Sequence, residues 1–434
     1  MTDFMHPSPL REIERAVQSR CRTETTGHER TTARAEMAVL VDEEIRTWNR
    51  DHLRGRQPFP IDGTDALADR AVRNLAGYGP LEPLLTDDDV WEIMVNAPDA
   101  IFVRRHQGPS GYHDEVFHDD AHVERTLTKI LDDSTRGHRK LDPSEGLQDA
   151  QLDDGARLHI VHADVARGGH LMVNVRKFTG VAIRRLDELV DRAMLSAPAA
   201  RLLRTCVQAR QTVVIAGAPG AGKTTMLNCC AAELDPGLRV VVAEEVFEAD
   251  IPLPNVASMQ TRAARSDRPA VDLRRLVSGF LRMAPDIAIV GEVRDREALP
   301  LLLTLSSGVK GFTTIHAGSA RQALTRLRFI CQLADTSNEL PMSALTSLVS
   351  EAIDVVVHCI RTPDGPRVSS IIAVEDLATP LDSGLFTTTE LFRLDQQGRL
   401  VATGLLPARL SEAFRSAGID EHVALPGVPE ELGR

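Results

Sequence analysis

The chain has 434 residues, with 50 Lys and Arg against 62 Asp and Glu, a formal charge of −12. Its residues are 43% hydrophobic, which excludes wholesale disorder, and only 4% aromatic, which together with the acidic balance argues against a nucleic-acid binder built on basic grooves and stacked bases. The length suits roughly two to three domains, and no apolar run approaches the ~18 residues of a membrane span or the core of a signal peptide, so a cytoplasmic protein without intrinsic membrane insertion is expected.

Residues 1–70 read as a polar, helical extension. Within it, Ala35 to Trp48 sets Met37, Leu40, Val41, Ile45 and Trp48 at helical spacing. An α+β domain is expected over 71–185. It begins with a Gly/Pro break at Tyr78–Leu85, followed by short strands within Trp91–Val103 around a turn at Ala97-Pro98-Asp99. A helix over His122–Leu131 comes next, then strand texture from Gly155 to Phe178, notably Leu171–Val175. Residues 186–210 are expected to form bridging helices, divided at Pro198.

From Thr212 the texture changes to short β-branched runs between helices: Thr212–Ala216, Arg239–Ala243, Ile287–Val290 and Phe312–Ile315. That alternation predicts a mostly parallel sheet with covering helices over 211–420. After Thr362 the chain turns to strands (Val368–Val374, Leu391–Val401), a short helix near Leu410 and a tail over 421–434. The fold class expected is therefore α/β, preceded by an α+β N-terminal domain and a helical N-terminal extension.

The six cysteines (Cys21, Cys206, Cys229, Cys230, Cys331 and Cys359) form no C-x-x-C pair, which disfavours a four-cysteine zinc site. Adjacent Cys229 and Cys230 on a predicted helix read as small buried apolar residues.

Gly217-Ala-Pro-Gly-Ala-Gly-Lys-Thr224 matches G-x-x-x-x-G-K-[ST] between a strand run and a helical run. Glycines let such a loop wrap phosphates with its backbone N–H groups, and the following helix aims its positive end at the same anion. Lys223 can bridge outer phosphate oxygens, and the Thr224 hydroxyl suits a Mg²⁺ ion. The residues expected to bind a purine nucleoside triphosphate are Gly217, Gly220, Ala221, Gly222, Lys223, Thr224 and Thr225. A second acidic element, Ile287-Ala-Ile-Val-Gly-Glu292, brings a carboxylate to the end of a buried strand. Glu292 can reach the Mg²⁺ water shell or an attacking water, so Thr224 and Glu292 are the expected metal residues.

Four signatures in order resemble the ATPases of type II and type IV secretion systems and type IV pili. They are the phosphate loop, the acidic segment Glu244-Glu245-Val-Phe-Glu248, the Walker B segment Val290-Gly-Glu-Val-Arg294, and Gly311-Phe-Thr-Thr-Ile-His-Ala317. Within that family the chain is most similar to the CpaF/TadA branch, which drives tad (Flp) pilus assembly. That likeness rests on Tyr78–Leu85, Ile93–Asn96, Asp154–Arg157, Val175–Phe178 and Gly398–Gly404.

The resemblance implies a RecA-like P-loop NTPase domain in a homo-hexamer that hydrolyses ATP with Mg²⁺. It further implies an inner-membrane platform protein as partner, which would hold the ATPase at the inner face of the membrane. By the family pattern, Glu244, Glu248 and Glu292 face the γ-phosphate and its water, His316 senses the same phosphate, and Arg157 and Arg176 close onto it from the N-terminal domain. Two departures stand out: Glu245 replaces the family's usual Asp, and Val309 follows Gly308 where the family has His. Two other function classes compete with the motor ATPase: a nucleic-acid translocating P-loop motor of conjugation type, and a non-catalytic nucleotide-dependent scaffold.

Overall fold

The computed structural model describes residues 8–24, 34–105, 108–134, 140–177, 183–262, 264, 269–334, 340–376 and 385–424. Phe178, where strand texture was expected to end, and the last ten residues of the tail lie outside them. The chain forms two compact units, Met1–Val181 and Ala182–Arg434.

The first unit opens with α1 (Pro9–Glu24), α2 (Arg34–Leu53) and α3 (Thr64–Ala76). Met37, Val41, Ile45 and Trp48 of α2 are buried with Leu10, Ile13, Val17 and Val72, whereas Leu40 is half-buried at the edge of that core. The return from α2 is fixed by polar bonds: the Trp48 indole N–H donates to the Phe59 carbonyl at 3.0 Å, and the Asn49 amide oxygen accepts from the Ile61 N–H at 2.7 Å. α3 runs across residue 70. Its Arg73 forks onto Glu115 with two 2.9 Å bonds, and Asn74 donates to Glu14 of α1 at 2.7 Å. Helical extension and sheet therefore share one unit.

That sheet contains β1 (Val90–Ala97), β2 (Ala100–Arg105), β3 (Gly111–Tyr112), β4 (Leu147–Gln151), β5 (Arg157–Val161) and β6 (Met172–Arg176). Its order is β3-β2-β1-β6-β5-β4, antiparallel throughout. Alternate residues (Ile93 and Val95, Ile101 and Val103, Leu158 and Ile160, Val173 and Val175) are buried together with Val123, Leu127, Ile130 and Leu131 of the helix Asp120–Asp133. Asp119 caps this helix by accepting from the His122 N–H at 2.8 Å.

The second unit holds β7 (Val213–Gly217), β8 (Val240–Glu244), β9 (Val256–Gln260), β10 (Ile287–Val293), β11 (Lys310–Ile315), β12 (Val355–Thr362), β13 (Gly365–Val374), β14 (Thr388–Leu394) and β15 (Leu400–Ala402). The order is β15-β14-β13-β12-β7-β11-β10-β8-β9. From β12 to β9 every pairing is parallel, and β13, β14 and β15 extend the sheet antiparallel.

The apolar runs reflect burial on both faces. Val213, Ile215, Val240, Val242, Ile287 and Ile289 pack on one side with Met226, Leu227, Cys229 and Cys230; Val214, Ala216, Val241, Ala243, Ala288 and Val290 pack on the other with Leu301, Leu305, Leu324 and Leu327. This is the RecA-like α/β fold. The helices Leu186–Asp191 and Ala197–Gln208, expected as a bridge, belong to this unit, because Leu186, Leu189, Leu202, Leu203 and Cys206 are buried in its first core. Pro198 stands in the first turn of the second of them, where a missing N–H costs nothing. No helix among the described residues is long and apolar enough to cross a membrane.

Asp354 fixes the entry to the P-loop strand. Its carboxylate is nearly fully buried and accepts from the Thr212 N–H at 2.8 Å, Lys310 Nζ at 2.8 Å and Arg409 Nη2 at 2.6 Å. One side chain thereby ties β7, β11 and the C-terminal helix Ala408–Ser416 together. Removing it takes the partner from Lys310 and the Thr212 N–H and leaves Arg409 with Asp376 at 3.7 Å and two backbone carbonyls, so Asp354→Ala should cost about 3 kcal/mol of stability, read from the denaturant midpoint. A shift below about 1 kcal/mol would contradict this role.

Candidate functional site

Gly217 ends β7 with φ +155, and a Cβ there would lie 2.3 Å from the Cys359 carbonyl of neighbouring β12. Only glycine permits that approach, and the loop leaves the sheet from it. Gly220 (φ +72) and Gly222 (φ +82) carry the turn onward. Ala221 is fully buried beneath it. Gly222 is the N-cap of the helix Lys223–Ala231 and brings no capping side chain, so the N–H groups of its first turn, which contains Thr224 and Thr225, suit an anion. Arg361 of β12 donates to the Gly220 carbonyl at 3.1 Å and holds the loop from outside.

Lys223 is buried, and its ammonium lies 3.2 Å from the Ala218 carbonyl and 3.3 Å from His316 Nδ1. His316 follows β11, which lies between the P-loop strand and β10, so one strand separates the phosphate loop from Glu292. The His316 ring closes that gap: Nε2 is 2.7 Å from Glu292 Oε1, and Nδ1 is also 3.2 Å from the Gly217 carbonyl. Burial pushes the imidazole below its ordinary pKa, with Glu292 pulling it up and Lys223 pushing it down. In the tautomer with the proton on Nε2, the ring donates to Glu292 and Nδ1 accepts from Lys223, and the Gly217 carbonyl then receives no proton from Nδ1. The three side chains form a continuous line.

Glu292 reaches this position through a bulge. Register with β11 slips between Val290 and Val293, leaving Gly291 and Glu292 outside the regular ladder. The Thr314 hydroxyl donates to the Gly291 carbonyl at 2.8 Å, and the Thr313 hydroxyl to the Val290 carbonyl at 2.8 Å. Burial opposes ionisation of Glu292, but the Arg294 guanidinium, with the nearby Lys223 ammonium, outweighs it and holds the carboxyl below its usual range.

Glu244, at the end of β8, is buried, and its Oε1 accepts from the Glu248 N–H at 3.0 Å and the Ala249 N–H at 2.9 Å. That pins the loop on which Glu248 sits, and Glu248 Oε2 accepts from the Thr224 hydroxyl at 3.3 Å. Glycine at 291 makes room for Glu244, since a Cβ there would stand 2.9 Å from Glu244 Cγ. Arg157 and Arg176 lie in the first unit, directly opposite each other on β5 and β6.

The set fits a nucleoside triphosphate with Mg²⁺: an uncapped helix start, a buried ammonium, and a hydroxyl beside the Glu248 carboxylate. Among the described residues no group of three or more His, Cys, Asp or Glu could hold a metal ion. Sequence reasoning missed roles for Arg361, Gly291, Thr313 and Thr314. The Val355–Val357 run could have revealed β12, and with it Arg361. Gly291→Ala should fold but displace Glu244 and weaken Mg·ATP binding about tenfold, measured with a fluorescent analogue; unchanged affinity would show that the seat of Glu244 is immaterial.

The sequence profile described as "Type II/IV secretion system protein" matches residues 74–373. The type IV secretion system protein PtlH of Bordetella pertussis is 31% identical over 322 residues, spanning 68% of this chain and 92% of its own. The conjugal transfer protein TrbB of Rhizobium radiobacter is 33% identical over 231 residues, covering 50% of this chain and 68% of its own. Among solved structures, the VirB11 ATPase of the Brucella suis type IV secretion system aligns with 67% of this chain and 94% of its own, at 25% identity and a TM-score of 0.36. On the profile match and the relative aligned over nine-tenths of its length, the chain belongs to the type II/IV secretion system protein family.

Proposed function

We propose that this chain is a Mg²⁺-dependent ATPase that powers a type IV (tad/Flp) pilus or a type II/IV secretion machine, in the CpaF/TadA branch of its family. The observation that carries the proposal is the line Lys223–His316–Glu292 at the carboxyl edge of the parallel sheet, with Thr224 and Glu248 beside it. The motor works as a homo-hexamer and acts on an inner-membrane platform protein, which holds it at the inner face of the membrane.

The first-turn N–H groups and Lys223 bind the outer phosphates of ATP, and Lys223 gives up its present contact with the Ala218 carbonyl to do so. Thr224 and Glu292 are the residues that would hold Mg²⁺, with Glu248 orienting the Thr224 hydroxyl; the ion when bound neutralises phosphate charge. Glu292 accepts a hydrogen bond from the attacking water and orients it. His316, touching both Lys223 and Glu292, links the presence of the outer phosphate to the position of that carboxylate. Glu244 acts by holding the loop that carries Glu248. Arg157 and Arg176, side by side, offer paired guanidinium groups to the γ-phosphate, so that its loss on hydrolysis releases the N-terminal domain.

A second reading, nucleic-acid translocation, draws support from the conjugal transfer role in TrbB's name. DNA-stimulated turnover would favour it; indifference to DNA favours the protein-secretion motor.

Lys223→Ala should abolish ATP hydrolysis, while Glu292→Gln should keep Mg·ATP binding and lose about a hundredfold or more in turnover, since an amide cannot take a proton from water. Wild-type turnover in Lys223→Ala would refute the site. Arg157→Ala and Arg176→Ala should each leave the fold intact and lower turnover at least ~10-fold. Activity should also rise more than linearly with protein concentration, in step with light-scattering mass. A fully active monomer would refute the hexameric closing mechanism.

A further inference from the structure

Arg294 lies just past the end of β10 and has no part in the phosphate cradle. Its Nε donates to Glu292 Oε1 at 2.7 Å and its Nη2 to Glu292 Oε2 at 3.1 Å, a two-pronged fork. The remaining nitrogen, Nη1, donates to Glu245 Oε2 at 3.0 Å. Because His316 Nε2 also lies 2.7 Å from Glu292 Oε1, both carboxylate oxygens of Glu292 are engaged. The backbone beneath Arg294 is pinned, for the buried Glu297 carboxylate accepts from the N–H groups of Arg294 and Asp295. Only the side chain can swing, and it already touches the second carboxylate that would receive it.

We propose that Arg294 is a latch on Glu292: its fork holds both carboxylate oxygens away from water, and the site becomes competent when the guanidinium moves wholly onto Glu245. The proposal rests on the ATPase reading above. A carboxylate held by a fork across both oxygens has poor access for the hydrogen bond through which it would orient a water. Opening breaks two charge-assisted bonds, but the Glu245 pair persists, so the guanidinium is never left without a counter-charge. That shared seat is what makes the motion cheap. About two-fifths of the Arg294 side chain is exposed, so solvent screens the pair and the latch is weak, a modulator of turnover and no on–off lock. Arg294 acts through Glu292, and is a positioning residue.

Opposite effects from two neighbouring charges distinguish this from a merely structural role. Without Arg294 the latch is gone; without the Glu245 charge the guanidinium stays on Glu292. The experiment is steady-state ATP hydrolysis by the purified full chain, with kcat and KM for wild type, Arg294→Gln, Glu245→Gln and the double variant, and a thermal midpoint for each. Expected are a kcat raised about five-fold in Arg294→Gln, lowered by a similar factor in Glu245→Gln, and a double variant that behaves as Arg294→Gln, with KM within about twofold throughout. If Arg294→Gln fails to fold, Arg294→Lys replaces it, and its single-pronged cation should still raise kcat. A kcat lowered in the Arg294 variant, or both single variants moving in the same direction, overturns the latch. Lys223→Ala is assayed alongside. Wild-type turnover that vanishes in Lys223→Ala keeps the ATPase reading intact whichever way the latch is decided, whereas a wild type with no Lys223-dependent turnover removes both.

Discussion

A parallel sheet covered on both faces leaves polar chemistry one place to emerge, at the carboxyl ends of its strands. The six strands from β12 to β9 run parallel, and β7 and β8 are buried along their full length. Gly217, Glu244, Glu292 and His316 all stand at or just past such ends, on four different strands of one sheet. Burial fixes the strands, and their shared direction gathers the ends. Convergence of residues almost a hundred positions apart needs no other cause.

Within that frame the finer geometry comes from deviations. The bulge at Gly291–Glu292 aims a carboxylate across the strand that separates it from the phosphate loop, and His316, just past the end of that intervening strand, bridges the distance. Gly291 has no side chain because Glu244 occupies its space. The acidic segment and the Walker B strand are thus fitted to each other sterically, and neither can be understood from its own stretch of chain.

This explains what the sequence discloses and what it hides. β7, β8, β10 and β11 were legible because burial on both sides writes them as unbroken β-branched runs. β9 was not, since its Val-Ala-Ser-Met-Gln stretch is only half-buried at the sheet edge. β12 was overlooked although Val355–Val357 carries the same signature, because polar His358 and Arg361 follow directly. The phosphate loop, Glu292 and His316 could be named from motif and resemblance. The fork of Arg294 and the hold of Glu244 on its loop could not, because they depend on register between strands and on which rotamer a neighbour leaves free.

The order of strands in the sheet has a consequence for how the chain is made. β7 leaves the ribosome long before its two flanking partners, β11 at residue 310 and β12 at residue 355, and the Arg409 counter-charge on Asp354 comes later still. At ordinary rates of synthesis the interval from β7 to β12 lasts roughly seven to thirty seconds. Until β11 is made, a strand of Val-Val-Ile-Ala has neither neighbour to pair with, and until β12 follows one of its edges stays open. The phosphate loop is thus among the earliest parts of its unit to be synthesised and among the last to take shape. A nascent chain of this fold consequently spends that interval with an open, apolar strand, a natural target for chaperones that shield unpaired edges.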